Sequence, residues 1–105
     1  MFGNFMDMMG KLQTAQKKFE ALKEKLEQEL IYETSRDETV SVTITELATI
    51  RDIKIAPELL SDVVQLEDTL VITLNSALEK VKKNAIEEAK KTARESLPPI
   101  PGLSL

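Results

Sequence analysis

The side chains with usable chemistry in this 105-residue chain are almost all ammonium groups and carboxylates. Lys11, Lys18 and Lys25 recur every seven residues. Lys80, Lys83, Lys90, Lys91 and Arg94 fall within about one third of a helix circumference at roughly 100° per residue. Rows of fixed cations neutralise phosphate oxygens, and contacts of that kind hold a polyanion by its backbone without reading its bases. Catalysis fits poorly. There is no Cys, His or Trp, hence no thiolate, no imidazole base and none of the usual zinc ligands. Gly3, Gly10 and Gly102 are the whole glycine complement and build no phosphate cradle. Glu87 and Glu88 are adjacent, so on a helix they point in different directions and cannot share a proton-transfer task. The expectation is a protein with no enzymatic activity, no cofactor, no metal and no small-molecule substrate.

Not every cation is available for a polyanion. Glu79, Lys83, Glu87, Lys91 and Glu95 alternate in sign at four-residue spacing, the pattern of a salt-bridged solvent face. Lys11 has Asp7 four residues before it and Lys25 has Glu29 four after. Lys18, Lys80 and Arg94 have no acid three or four residues away on either side. They are the preferred phosphate contacts, with Lys11, Lys25 and Lys90 in support. The net charge of −4 is unevenly spread. Residues 1–28 carry +1, residues 29–68 carry −7 and residues 69–105 carry +2. An acidic body between weakly basic ends is a weaker footprint for nucleic acid than a basic chain would leave.

The elements that must position these charges follow from periodicity. Phe5, Met8, Leu12, Ala15, Phe19, Leu22 and Leu26 alternate steps of three and four in a Pro-free segment rich in Lys, Glu, Gln, Leu and Ala, predicting a long helix with a heptad seam over 5–30. The period then drops to two. Residues 31–35, Val40-Ser41-Val42-Thr43-Ile44-Thr45 and Ile50–Ile55 read as three strands joined by connections short enough for hairpins, an antiparallel meander. After Pro57 comes one helical turn. Ser61 or Asp62 can cap a second long helix marked by Leu66, Leu70, Leu74, Leu78, Val81, Ala85, Ala89 and Ala93. Pro98 and Pro99 stop it. The expected fold class is α+β, with a single domain over 1–96 and a Pro-rich, flexible tail over 97–105.

Helices of 25–30 residues extend about 38–45 Å, more than the roughly 34 Å breadth of a compact globule of this length. They must protrude, and their seams together with one face of the sheet exceed what one chain can cover. A homodimer with protruding helical arms is expected, with Val42, Ile44, Ile53, Ile55, Leu66 and Leu70 as its candidate interface. The Met1–Gly10 segment has no basic leader and no cleavage site, so it reads as mature sequence. No uncharged apolar run of about 18 residues exists. No membrane partner is expected, and the location is cytoplasmic.

The order of elements and several strings resemble the YbaB/EbfC family of bacterial nucleoid-associated proteins. Those strings are Met1-Phe2-Gly3, Val40-Ser41-Val42-Thr43-Ile44, Ile53-Lys54-Ile55-Ala56-Pro57-Glu58-Leu59-Leu60, Leu66-Glu67-Asp68 with Leu70-Val71, Asn75 and Ala77, and Leu97-Pro98-Pro99 with Gly102. The resemblance spans nearly the whole chain. It implies a non-enzymatic homodimer with tweezer-like arms that binds duplex DNA on the nucleoid and affects nucleoid organisation and gene expression. The chain departs from the family pattern at Arg36-Asp37-Glu38-Thr39 and at Glu46, where glycines are common, and at Ala56, where Asp is usual. The rival reading is an acidic dimeric chaperone or adaptor whose seam and methionine-rich end bind partner helices.

Overall fold

The structure, a computed structural model, describes residues 2–96. Two long helices flank a three-stranded sheet: α1 (Phe2–Gln28), β1 (Leu30–Thr34), β2 (Val40–Thr45), β3 (Ile50–Ile55), a 3-10 turn (Pro57–Ser61) and α2 (Val63–Ser96). The sheet is an antiparallel meander in the order β1-β2-β3. Each predicted element is present within a few residues of its expected bounds. The tail expected over 97–105 lies outside the described residues.

Period-two sequence produces a one-sided sheet. Val40, Val42 and Ile44 of the central strand are fully covered, and with Leu59, Ala77 and Val81 they form the core. Ile31, Leu66, Leu70, Leu74 and Leu78 pack around them. At roughly 25 cal/mol per Å² of apolar surface removed from water, this small cluster is the main source of stability in the fold. Val42 and Ile44, expected at a dimer interface, are 0% exposed beneath their own α2 and leave no surface for a partner. Leu66 and Leu70 are half-buried against the same core.

The helix covers the sheet incompletely. α2 lies chiefly across β1 and β2. Ile50, Ile53 and Ile55 stand opposite Ile44, Val42 and Val40, so they share the core face, yet they remain 45%, 39% and 38% exposed. α2 starts cleanly: Asp62 accepts a hydrogen bond from the Gln65 N–H at 3.1 Å, as an N-cap should.

Both hairpins turn without glycine. Each closes with a backbone bond between residues three apart, Glu38 N–H to Ser35 O and Ala48 N–H to Thr45 O, both at 2.9 Å. Glu38 and Ala48 then take the left-handed conformation at φ 63°, where glycine is at ease and an L side chain is strained. At the first turn Asp37 compensates. Its Oδ1 accepts from Thr39 Oγ1 at 2.6 Å, Ser35 Oγ at 2.8 Å and the Thr39 N–H at 3.1 Å. These bonds, those from Thr39 and Ser35 foremost, hold its carboxyl below the ordinary aspartate value. At the second turn the Thr45 hydroxyl accepts from the Leu47 and Thr49 N–H groups.

The molecule is long and thin, 71 × 36 × 17 Å, with a Cα radius of gyration of 20.7 Å against about 13 Å for a compact chain of this length. α1 causes much of this. It meets the body only near its C-terminal end, around Leu26 and Glu27, and residues 3–25 are exposed throughout. The far half of α2, from Lys82 to Glu95, is likewise exposed apart from half-buried Ala93.

Candidate nucleic-acid interface

The lysines of α1 lie beside its apolar seam. At about 100° per residue, Lys11, Lys18 and Lys25 stay within roughly 40° of one another along nearly the whole arm. Lys25 Nζ reaches Glu29 Oε1 at 3.7 Å, an exposed pair of little strength. Lys11 and Lys18 form no ion pair among the described residues, and Asp7 does not engage Lys11. Lys18, singled out from spacing alone, therefore projects an uncommitted ammonium.

On α2 the assignment changes. Lys80 Nζ sits 2.7 Å from Glu33 Oε2, across the boundary between helix and sheet. The Glu33 side chain is only 17% exposed and Oε2 has no aligned hydrogen-bond donor, so this ammonium is its compensation. Taking Lys80 to a phosphate would strand a half-buried carboxylate. The absence of an acid three or four residues away says nothing about a partner on another element, and Lys80 is a structural cation. Glu79, expected to bridge Lys83, instead approaches Lys82 at 3.5 Å. Lys83 and Lys91 carry no ion pair among the described residues, nor does Lys90. Lys83, Lys90 and Arg94 lie within about 40° on α2, all exposed. Lys83 is the cation that the expected charge ladder concealed.

Between the arms runs a cleft of about 850 Å³. Leu22 and Leu26 of α1 face Ala85, Ala89 and Ala93 of α2 across it. Glu29, Glu46, Glu87 and Glu88 stand around it, with no lysine or arginine among its lining residues. A phosphate backbone would be repelled there. At about 100° per residue the row of Lys83, Lys90 and Arg94 is centred roughly 120° round α2 from the cleft alanines, and Glu87 of the cleft lining stands beside it, so the candidate phosphate surface adjoins the acidic rim of the cleft.

The uncovered apolar surface is larger than the expected interface. Ile53 and Ile55 are exposed as a partner would require, and Phe5, Met8, Leu12 and Phe19 expose the seam of α1 beyond the cleft that Leu22 and Leu26 line. Val64 and Val71 of α2, 69% and 58% exposed, add a second stripe that the core periodicity had masked. Among the described residues no helix is long and apolar enough to cross a membrane, and no cluster of three or more potential ligands could hold a metal ion.

A half-covered meander carrying two helical arms, with lysines along both, defines a small α+β protein of the arm-bearing kind. The chain belongs to the YbaB/EbfC DNA-binding family, which matches residues 1–97. It is 41% identical over 100 residues to a nucleoid-associated protein of Flavobacterium johnsoniae, covering 95% of this chain and 94% of that one. It is 34% identical over 90 residues to a nucleoid-associated protein of Chlorobium phaeobacteroides, covering 86% and 81%. The fold is similar to the crystal structure of the uncharacterized protein HP0035 from Helicobacter pylori, with TM-score 0.72 and 27% identity, covering 81% of this chain and 91% of that one.

Proposed function

We propose that this chain is a nucleoid-associated protein that binds duplex DNA as a homodimer, through the lysines of its arms and with low sequence specificity. The family and the names of its relatives support DNA binding on the nucleoid. The observation that carries the mechanism is the set of exposed ammonium groups at Lys11, Lys18, Lys83, Lys90 and Lys91, without ion pairs among the described residues, on two protruding helices. Such groups displace condensed counterions from phosphates, which gives affinity and strong salt dependence. Base identity is read by planar hydrogen-bonding side chains placed in a groove; lysine rows on exposed helices supply position and charge instead. No catalytic step is assigned.

Dimerisation is supported by the exposed seam of α1 and by the core-face isoleucines of β3 that α2 leaves bare. A second copy related by a two-fold axis covers the same patch on both chains at once. Mobility shifts on unrelated duplexes across a salt series test the DNA reading. Similar affinity for each duplex, fading steeply with salt, is expected; no binding at low salt would favour the adaptor reading. Sedimentation analysis tests the dimer, and a well-folded monomer at micromolar concentration would reject it.

A further inference from the structure

We infer that Glu46 is a positioning residue that sets the angle between the two arms. It occupies the first position of the β2–β3 turn and is tied to both helices. Its backbone N–H donates to Glu29 O, just beyond the end of α1, at 3.1 Å. Its Oε1 accepts a hydrogen bond from Asn84 Nδ2 on α2 at 2.8 Å, bridging 38 positions of sequence. Both contacts fall where the arms leave the body. Val81 is the last buried residue of α2, and Asn84 lies less than one turn beyond it. Leu26 and Glu27 are the half-buried residues of α1 nearest its exit.

Little else holds the arms at that level. Arg51 Nη2 donates to Glu27 O at 3.0 Å from the other strand of the same hairpin, just past its turn. The register shift opposite Thr43 and Ile44 makes Arg51 the extra residue of β3, and bulges of this kind re-aim a side chain. That contact fixes α1 alone, whereas Glu46 reaches both helices and sits with Asn84 among the residues lining the cleft. A rotation of about 10° at a pivot becomes a displacement of roughly 3–4 Å at the end of an arm about 20 Å beyond it. Glycine at this position would keep the backbone link and lack the carboxylate. The clamp to α2 thus depends on the Glu46 side chain, and it bears on DNA binding through the reading proposed above.

The chain has no cysteine, so spin labels can be placed at Gln16→Cys on α1 and Glu95→Cys on α2 without background. Labelled protein is mixed with excess unlabelled protein, so that pulsed dipolar spectroscopy reads distances within one chain. Glu46→Ala and Asn84→Ala should each broaden and shift the distance distribution, while Glu46→Gln, whose amide oxygen still accepts from Asn84, should retain it. Circular dichroism should show an unchanged fold. In DNA titrations Glu46→Ala should weaken binding about two- to fivefold, the range of a modest hydrogen bond. Simple removal of a negative charge would strengthen it, so the sign separates positioning from charge. Unchanged distances in both alanine variants, or equal broadening in Glu46→Gln, would overturn the clamp. Absence of DNA binding by the unsubstituted protein would reject the functional reading and leave the distance test standing.

Discussion

Lys80 and Lys83 sit three residues apart on one helix and differ in their ionic partners. Lys80 neutralises the half-buried Glu33, whereas Lys83 has no ionic partner among the described residues. Lys80→Ala should lower unfolding stability by about 1 kcal/mol, discounted for the half-exposed lysine, and the added change Glu33→Gln should restore part of it. Lys83→Ala with Lys90→Ala should leave stability unchanged. It should lower the slope of log affinity against log salt by about 0.9 for each phosphate that is no longer neutralised. Urea unfolding and salt-series titration read the two effects separately, and equal weakening of DNA binding at Lys80 and Lys83 would remove the distinction. Asp37 gives a pH-dependent case. Its folded-state value is lowered, so its stabilising contribution is present above the unfolded value and vanishes as pH falls through the folded one. An NMR titration should place its midpoint below that of an ordinary aspartate, with the Thr39 amide losing exchange protection in the same acid window. Thr39→Val, which removes the shortest of the three hydrogen bonds to Asp37, should move the midpoint upward.

At the scale of elements, the left-handed residues of the two turns are the points of strain. Ala48→Gly should stabilise the protein by roughly 0.5–1 kcal/mol, the left-handed penalty less the extra chain entropy of glycine. A lower midpoint of thermal unfolding would contradict this. Elements of this kind were legible in the sequence because periodicity is a local property: the seam from Phe5 to Leu26 needs a period near 3.5, and Val40, Val42 and Ile44 need a period of two. The candidate site was less legible. Pairing across elements is nonlocal, so an absence of acids at helical spacing could not reveal Glu33 opposite Lys80. For the same reason alternation placed Val42 and Ile53 alike among the interface candidates, and only the limited width of α2 separates a covered valine from a partly exposed isoleucine. Lys18 was readable because its neighbourhood is its own helix.

On the scale of the whole molecule, the exposed α1 poses a thermodynamic difficulty that the proposed second copy would resolve. A helix of 27 residues attached only near its C-terminal end has little tertiary packing, and isolated helices are marginal in water once conformational entropy is counted. Its seam is nevertheless regular over four turns and more, with Phe19 66% exposed in the single chain. If a partner covers that seam, burial supplies the missing stabilisation, and the order of the arm becomes linked to protein concentration. Phe19→Asp places a charge at the middle of the covered stripe, where desolvation is costly. It should shift the protein toward monomer in sedimentation at micromolar concentration and reduce helical ellipticity as α1 frays. The core around Ile44 and Val81 lies elsewhere and should keep the sheet folded. DNA affinity should fall as well, because halving the number of linked arms removes the gain from joining two weak grips on one duplex. A variant that remains dimeric with undiminished helicity would show that α1 stands alone and that the partner binds elsewhere, with the bare face of β3 as the remaining surface.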